Sequence, residues 1–134
     1  MSEVIVFVCP HNVAKSLIAA SYFNVLAEQS RLPMAADSAG SEPEESVPQA
    51  VIDMLKRDGI DVSAYHPHRI RAEELLTAKR VISMGCSPET LGVAAQRVEQ
   101  WRDVPPFSQN PDGTCEAIRF HVEQLIRSLS GVIE

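Results

Sequence analysis

The chain is poor in aromatic residues, in positive charge and in long apolar runs. Its 134 residues hold one Trp, two Tyr and four Phe, 5% of the whole. Aliphatic side chains must therefore fill most of the core. Twelve Lys and Arg stand against eighteen Asp and Glu, a formal net charge of −6. That balance excludes a surface built for nucleic acid. Any anion has to be held by local geometry against the overall field. The continuous apolar run near the start is only Val4 to Val8, too short for a membrane span or a secretory h-region. The three cysteines, Cys9, Cys86 and Cys115, form no C-x-x-C pair. An odd, scattered set argues against a disulfide framework and against zinc. The expected setting is cytoplasmic, with reduced thiols and no membrane or nucleic-acid partner.

What is present is an alternation of strand and helix signals over residues 1–134, the length of a single domain. Val4 to Val8 is an unbroken run of β-formers, as in a strand buried on both faces of a parallel sheet. From Ser16 the period becomes helical through Ile18, Tyr22, Val25 and Leu26. Met34 to Ala39 is a second strand, stopped by Gly40. Ser46 and Gln49 have capping-box spacing before a helix through Val51, Ile52 and Leu55, which Gly59 ends. Glu73 to Ala78 is a short helix and Arg80 to Met84 a third strand. Ser87-Pro88-Glu89 has the form of a helix start. Arg97 to Trp101 is a fourth strand. A proline-rich loop precedes an amphipathic helix through Ile118, Val122, Leu125 and Leu129. The order predicts an α/β fold: three layers, α/β/α, around a four-stranded parallel sheet. Ligands of such sheets bind beyond the carboxyl ends of the strands. Cys9, Ser38-Ala39-Gly40, Cys86 and Asp103 all fall there.

"VCPHNVAKS", Val8 to Ser16, turns the first strand into the first helix. Backbone amides in such a turn, with the positive end of the helix dipole, form a cradle for a tetrahedral oxyanion. The same cradle favours a thiolate over a thiol. Cys9 would then face the central atom of the anion, Ser16 would donate to the thiolate, and Lys15 would neutralise anion charge. Position alone equally fits a small apolar side chain closing a buried strand.

Cys-x5-basic-Ser after a first strand resembles the signature C-x5-R-[ST] of the low-molecular-weight protein tyrosine phosphatases and of the arsenate reductases built on the same fold. "DSAGSEP", "DGIDVSAYHPHRI", "VISMGC" and "WRDVPP" follow in the order of that family's segments. The resemblance spans nearly the whole chain and implies its flavodoxin-like architecture. It implies Cys9 as nucleophile and oxyanion binding by the backbone of Pro10, His11, Asn12, Val13, Ala14 and Lys15. It also implies that Asn12 holds the loop's unusual conformation, that Ser16 supports the thiolate and that Asp103 is the general acid. The substrate would be a small oxyanion or a phosphorylated molecule.

Three positions depart from the pattern. Lys15 replaces the signature arginine, exchanging a planar fork for a point charge. One lost charge-assisted hydrogen bond of about 1.5–3 kcal/mol lowers a rate roughly 10- to 150-fold. His11 stands where the family has glycine, a strained choice if φ there is positive. Val104 separates Asp103 from Pro105. Cys86 ends the third strand at the same sheet edge as Cys9, as a second thiol for arsenate reduction through a Cys9–Cys86 disulfide or as a buried strand-end residue. No further cysteine lies beside Cys86 to carry a disulfide onward. No cofactor is implied beyond a thiol reductant such as thioredoxin, glutaredoxin or a small thiol, with Cys115 as the other resolving candidate. His66, His68, Arg69 and Arg71 form a basic loop, either solvated or at the rim of the site. Tyr65 is either a wall of the site or a packing residue. Two other functions fit the departures: an oxyanion-binding sensor or regulator of weak or no activity, and a structural relative without an anion site.

Overall fold

The computed structural model describes residues 3–131. Four parallel strands, β1 (Glu3–Val8), β2 (Met34–Ala39), β3 (Arg80–Ser83) and β4 (Val98–Gln100), form one sheet in the order β2-β1-β3-β4. The helices are α1 (Lys15–Gln29), α2 (Gln49–Arg57), α3 (Ala72–Thr77), α4 (Pro88–Leu91) and α5 (Pro111–Leu129), with a 3-10 turn at Ala95–Arg97.

Strand β1 is central, and its alternate residues separate two cores. Ile5 and Phe7 join α1, α2 and α5 through Ile18, Phe23, Val51, Leu55, Ile118 and Val122. Val6 and Val8 face the other way, toward Leu75, Ala78, Val81, Leu91 and Val98 around α3 and α4. This is the three-layer arrangement that the unbroken apolar run predicts. Aliphatic packing dominates, and the lone Trp101 closes one end of the larger core, 5.5 Å from the Phe7 ring.

Differences from the sequence reading are local. The N-cap of α2 is Pro48, not Ser46. Pro48 fixes extended backbone at the entry, and Gln49 bonds Asp53 instead of closing a capping box. Ser87 does cap α4 by accepting from the Thr90 amide. Gly92 in the left-handed region ends that helix after four residues. Strand β3 stops at Ser83 because Gly85, at φ 112°, turns the chain. All four carboxyl ends open on one edge, where β1 delivers Cys9, β2 delivers Gly40, β3 leads to Cys86 and β4 leads to Trp101.

Candidate active site

The chain leaves β1 at Val8 and enters α1 at Lys15, so residues 9–14 form a tight loop over the helix N-terminus. Two neighbours shape it. The Glu42 amide donates to the Pro10 carbonyl at 2.7 Å, and the Glu44 amide donates to the His11 carbonyl at 3.0 Å. Those oxygens are thus drawn outward. Among the described residues, the amides of His11, Asn12, Val13, Ala14 and Lys15 find no acceptor. Pro10 carries no N–H, so the expected run of donors starts one residue later, at His11. The first turn of α1 contains no acidic residue, and its N-cap Ala14 has no side chain to satisfy the helix donors. Unpaired amides and an uncompensated dipole end make an anion cradle.

Cys9 lies at its base, 5% exposed. Its sulfur is 3.1 Å from Ser16 Oγ, and the Ser16 amide donates to it at 3.4 Å. Asn12 Nδ2 donates to Ser16 Oγ at 3.0 Å. That bond occupies an acceptor site of the hydroxyl and leaves its own proton for the sulfur once Cys9 ionises. Asn12 is fully buried at φ 57°, one of the side chains that tolerates this region. Its Oδ1 accepts from Tyr65 Oη at 2.9 Å and from the His68 amide at 3.0 Å. Tyr65 Oη lies 2.6 Å from Ser38 Oγ on β2, and burial pushes the Tyr65 phenol upward from its ordinary value. The relay Ser38–Tyr65–Asn12–Ser16–Cys9 therefore ties three segments to one sulfur. Tyr65 packs against the larger core, and its hydroxyl also holds Asn12. The signal available in sequence was a buried Asn that needs partners, but nothing there said which tyrosine reaches it.

Gly40 is needed for close approach. A Cβ there would stand 2.7 Å from the Pro10 carbonyl oxygen and 2.9 Å from Asn12 Cβ. His11 does not take the positive φ that would strain it; that conformation falls on Asn12. The His11 ring is exposed and turned outward, with Nδ1 3.2 Å from the Glu42 carbonyl and 3.3 Å from the Glu44 carboxylate. Lys15 lines a cleft of about 360 Å³ together with Cys86, Gln100, Trp101, Arg102 and Val104. Val13 and Ala14 are half-buried on the loop.

Cys86 is 3% exposed, with its sulfur 3.7 Å from Ser41 Oγ. Burial pushes its thiol up, the Ser41 bond opposes this, and the charge of Cys9 adds to the rise. All three cysteines are free. Cys115 lines a separate cleft with Tyr22, Asp58 and Arg119. Asp103 is 70% exposed in its side chain and accepts from His121 Nε2 at 2.7 Å. That bond holds its carboxyl below the usual carboxylate range. The His121 ring stacks on Trp101 at 4.6 Å, which fixes the loop, and Asp103 is not among the residues lining the Lys15 cleft. Of the basic loop, Arg69 lines a neighbouring cleft with Pro10, Ser41 and Cys86, His68 bonds Glu74 at 3.0 Å, and His66 and Arg71 line neither cleft. Among the described residues, Asp37, His68 and Glu74 have ligand atoms within 4.8 Å of one another. The His68–Glu74 bond already joins two of them. No helix among the described residues is long and apolar enough to cross a membrane.

The fold is shared with known proteins. The chain is 26% identical over 125 residues to a Halobacterium salinarum protein named "Putative arsenate reductase", covering 92% of this chain and 87% of that one. The structure of YfkJ from Bacillus subtilis superposes with a TM-score of 0.86 at 22% identity, over 100% of this chain and 98% of the other. The thioredoxin-dependent arsenate reductase of Corynebacterium glutamicum superposes at 0.81 with 20% identity, over 98% of this chain and 64% of its own. Residues 4–104 match the family model of low molecular weight phosphotyrosine protein phosphatases. The chain belongs to that family.

Proposed function

We propose that the protein is a cysteine-dependent enzyme of tetrahedral oxyanions whose best-supported reaction is arsenate reduction. One observation carries the reading: a buried sulfur, bonded to a positioned serine, sits beneath a loop whose five amides have no acceptor among the described residues. The loop orients the anion, and Lys15 offsets its charge. The Cys9 thiolate attacks arsenic(V), and one arsenate hydroxyl, protonated by solvent or by another acidic hydroxyl of the arsenate, leaves as water. A second thiol then attacks Cys9 Sγ. The S–S bond forms, the As–S bond breaks, and its electron pair stays on arsenic, which leaves as arsenite. Two thiols are oxidised while arsenic gains two electrons.

Cys86 is assigned as that second thiol, because it lines the same cleft as Lys15. Its disulfide with Cys9 is then reduced by an external dithiol of the thioredoxin or glutaredoxin class, or by a small thiol. A thioredoxin-dependent relative of the same fold supports this choice. Arsenate and solvent supply the proton for that leaving group, which suits a site whose expected acid, Asp103, is bonded to His121. Phosphate-ester hydrolysis is the second reading. It is favoured by the family to which the chain belongs and is limited by that same Asp103 geometry.

The test measures thiol-dependent arsenate reduction and aryl phosphate hydrolysis on wild type, Cys9→Ser and Cys86→Ser. Loss of both activities in Cys9→Ser, with loss of reduction alone in Cys86→Ser, is expected. Full reduction by Cys86→Ser would overturn its assignment. Wild-type rates no higher than those of Cys9→Ser would overturn the enzyme.

A further inference from the structure

Lys15 leaves the site with a charge but without a guanidinium fork. A second cation, Arg102, lines the same cleft. Among the described residues neither Lys15 nor Arg102 has a carboxylate partner. No Asp or Glu lines this cleft of about 360 Å³. In a chain of net charge −6, two unpaired cations in a carboxylate-free cleft form a local field suited to an anion.

The neighbours of Arg102 are held in place. The Trp101 amide donates to the Ser83 carbonyl at 2.9 Å, and its ring stacks on His121. Asp103 is held on the other side by His121 Nε2 at 2.7 Å. Val104 is 5% exposed. Of the residues 101–104 between these anchors, Arg102 is the charged one that lines the Lys15 cleft.

We infer that Arg102 supplies the planar two-point contact that position 15 lacks, reaching the bound oxyanion or the group attached to it from the β4 side. The inference rests on the reading of Cys9 as the nucleophile of an oxyanion site. A guanidinium matches two oxygens of one tetrahedral anion, while an ammonium offers a point charge. The fork and the charge, joined in one arginine in the C-x5-R pattern, are divided here between Arg102 and Lys15.

The experiment is calorimetric binding of inorganic phosphate to wild type, Arg102→Ala, Arg102→Lys, Lys15→Arg and the double variant Lys15→Arg/Arg102→Ala. KM and kcat for aryl phosphate are measured alongside. Arg102→Ala is expected to weaken phosphate binding about tenfold, the lower end for a charge-assisted bond at an exposed group. Arg102→Lys should recover less than half of that loss on a logarithmic scale. In the Lys15→Arg background, removing Arg102 should cost twofold or less, since the fork is restored at position 15. An Arg102→Ala protein that binds phosphate within twofold of wild type refutes the inference alone. So does a tenfold loss of equal size in both backgrounds. A wild type that binds no phosphate and has no Cys9-dependent turnover refutes the site itself.

Discussion

Replacing Asn12 by alanine tests whether the relay behind Cys9 works as the geometry requires. Asn12 makes three hydrogen bonds at full burial, to Ser16 Oγ, from Tyr65 Oη and from the His68 amide. Tyr65 keeps Ser38 as a partner after the change, so its loss is a net bond of about 1 kcal/mol. The His68 amide loses the partner it has and is left unpaired at about 1–3 kcal/mol. The left-handed conformation at φ 57° adds about 1 kcal/mol for a residue with Cβ and no side-chain bond. The sum is about 3–5 kcal/mol, within the roughly 5–15 kcal/mol stability of such domains. With a urea slope near 2 kcal/mol/M, the midpoint should fall by about 2 M. Asn12→Gly removes the same bonds without the conformational cost, so it should be the more stable of the two by about 1 kcal/mol. In both variants Ser16 loses its orienting donor, so kcat should fall more than KM rises. Equal stability of wild type and Asn12→Ala, or a glycine variant less stable than the alanine one, would refute this account.

Other substitutions follow from single distances. Gly40→Ala places a Cβ against the Pro10 carbonyl and Asn12; a loss of about 1–3 kcal/mol by thermal unfolding and a larger loss of turnover are expected. Asp103→Asn should change arsenate reduction less than threefold, because the carboxylate faces His121; a loss of about 10²–10⁴, as for a working general acid, would contradict that. Tyr22 is buried against Asp58, and its phenol is pushed up to about 12 by burial and by that bond. The unfolded phenol ionises near 10, so the unfolded chain gives up this proton first, and stability falls between pH 10 and 12 by about 2–3 kcal/mol. Tyr22→Phe should flatten that stretch of the unfolding-versus-pH curve.

The strands were legible because β1 and β2 are short, apolar or bounded by glycine, and a buried parallel strand needs no partner to announce itself. Cys9, Lys15 and Ser16 were legible for a related reason: a strand-to-helix turn with a thiol and a cation is a local pattern, readable within nine residues. The same logic explains the errors. Ser46 and Gln49 have the right spacing for a capping box, but Pro48 sets the backbone between them and becomes the cap itself. Tyr65 is 53 residues from Asn12, and only the β2–β1 pairing brings Ser38 beside both. Arg102 reads as an ordinary surface arginine until β4 is set next to β3, when it shares a cleft with Lys15. Contacts across the sheet edge depend on strand order, and strand order is not written in any local window.

The net charge and the proposed ligand pull in opposite directions, since a chain at −6 repels anions at a distance. The two act at different ranges. At physiological ionic strength exposed charges are screened beyond about 8 Å, so the overall field discriminates among large polyanions as they approach. At the loop the relevant sources are five amide dipoles and the first turn of α1, which carries Lys15 and no acid. Sources this close to a small ion are poorly screened. A nucleic acid or a heavily phosphorylated chain meets the repulsive surface with most of its charge still outside. A single oxyanion leaves that surface behind when it enters the cradle. The acidic composition therefore acts against large polyanions, while the cradle itself depends on the geometry that Asn12, Gly40 and Ser16 maintain.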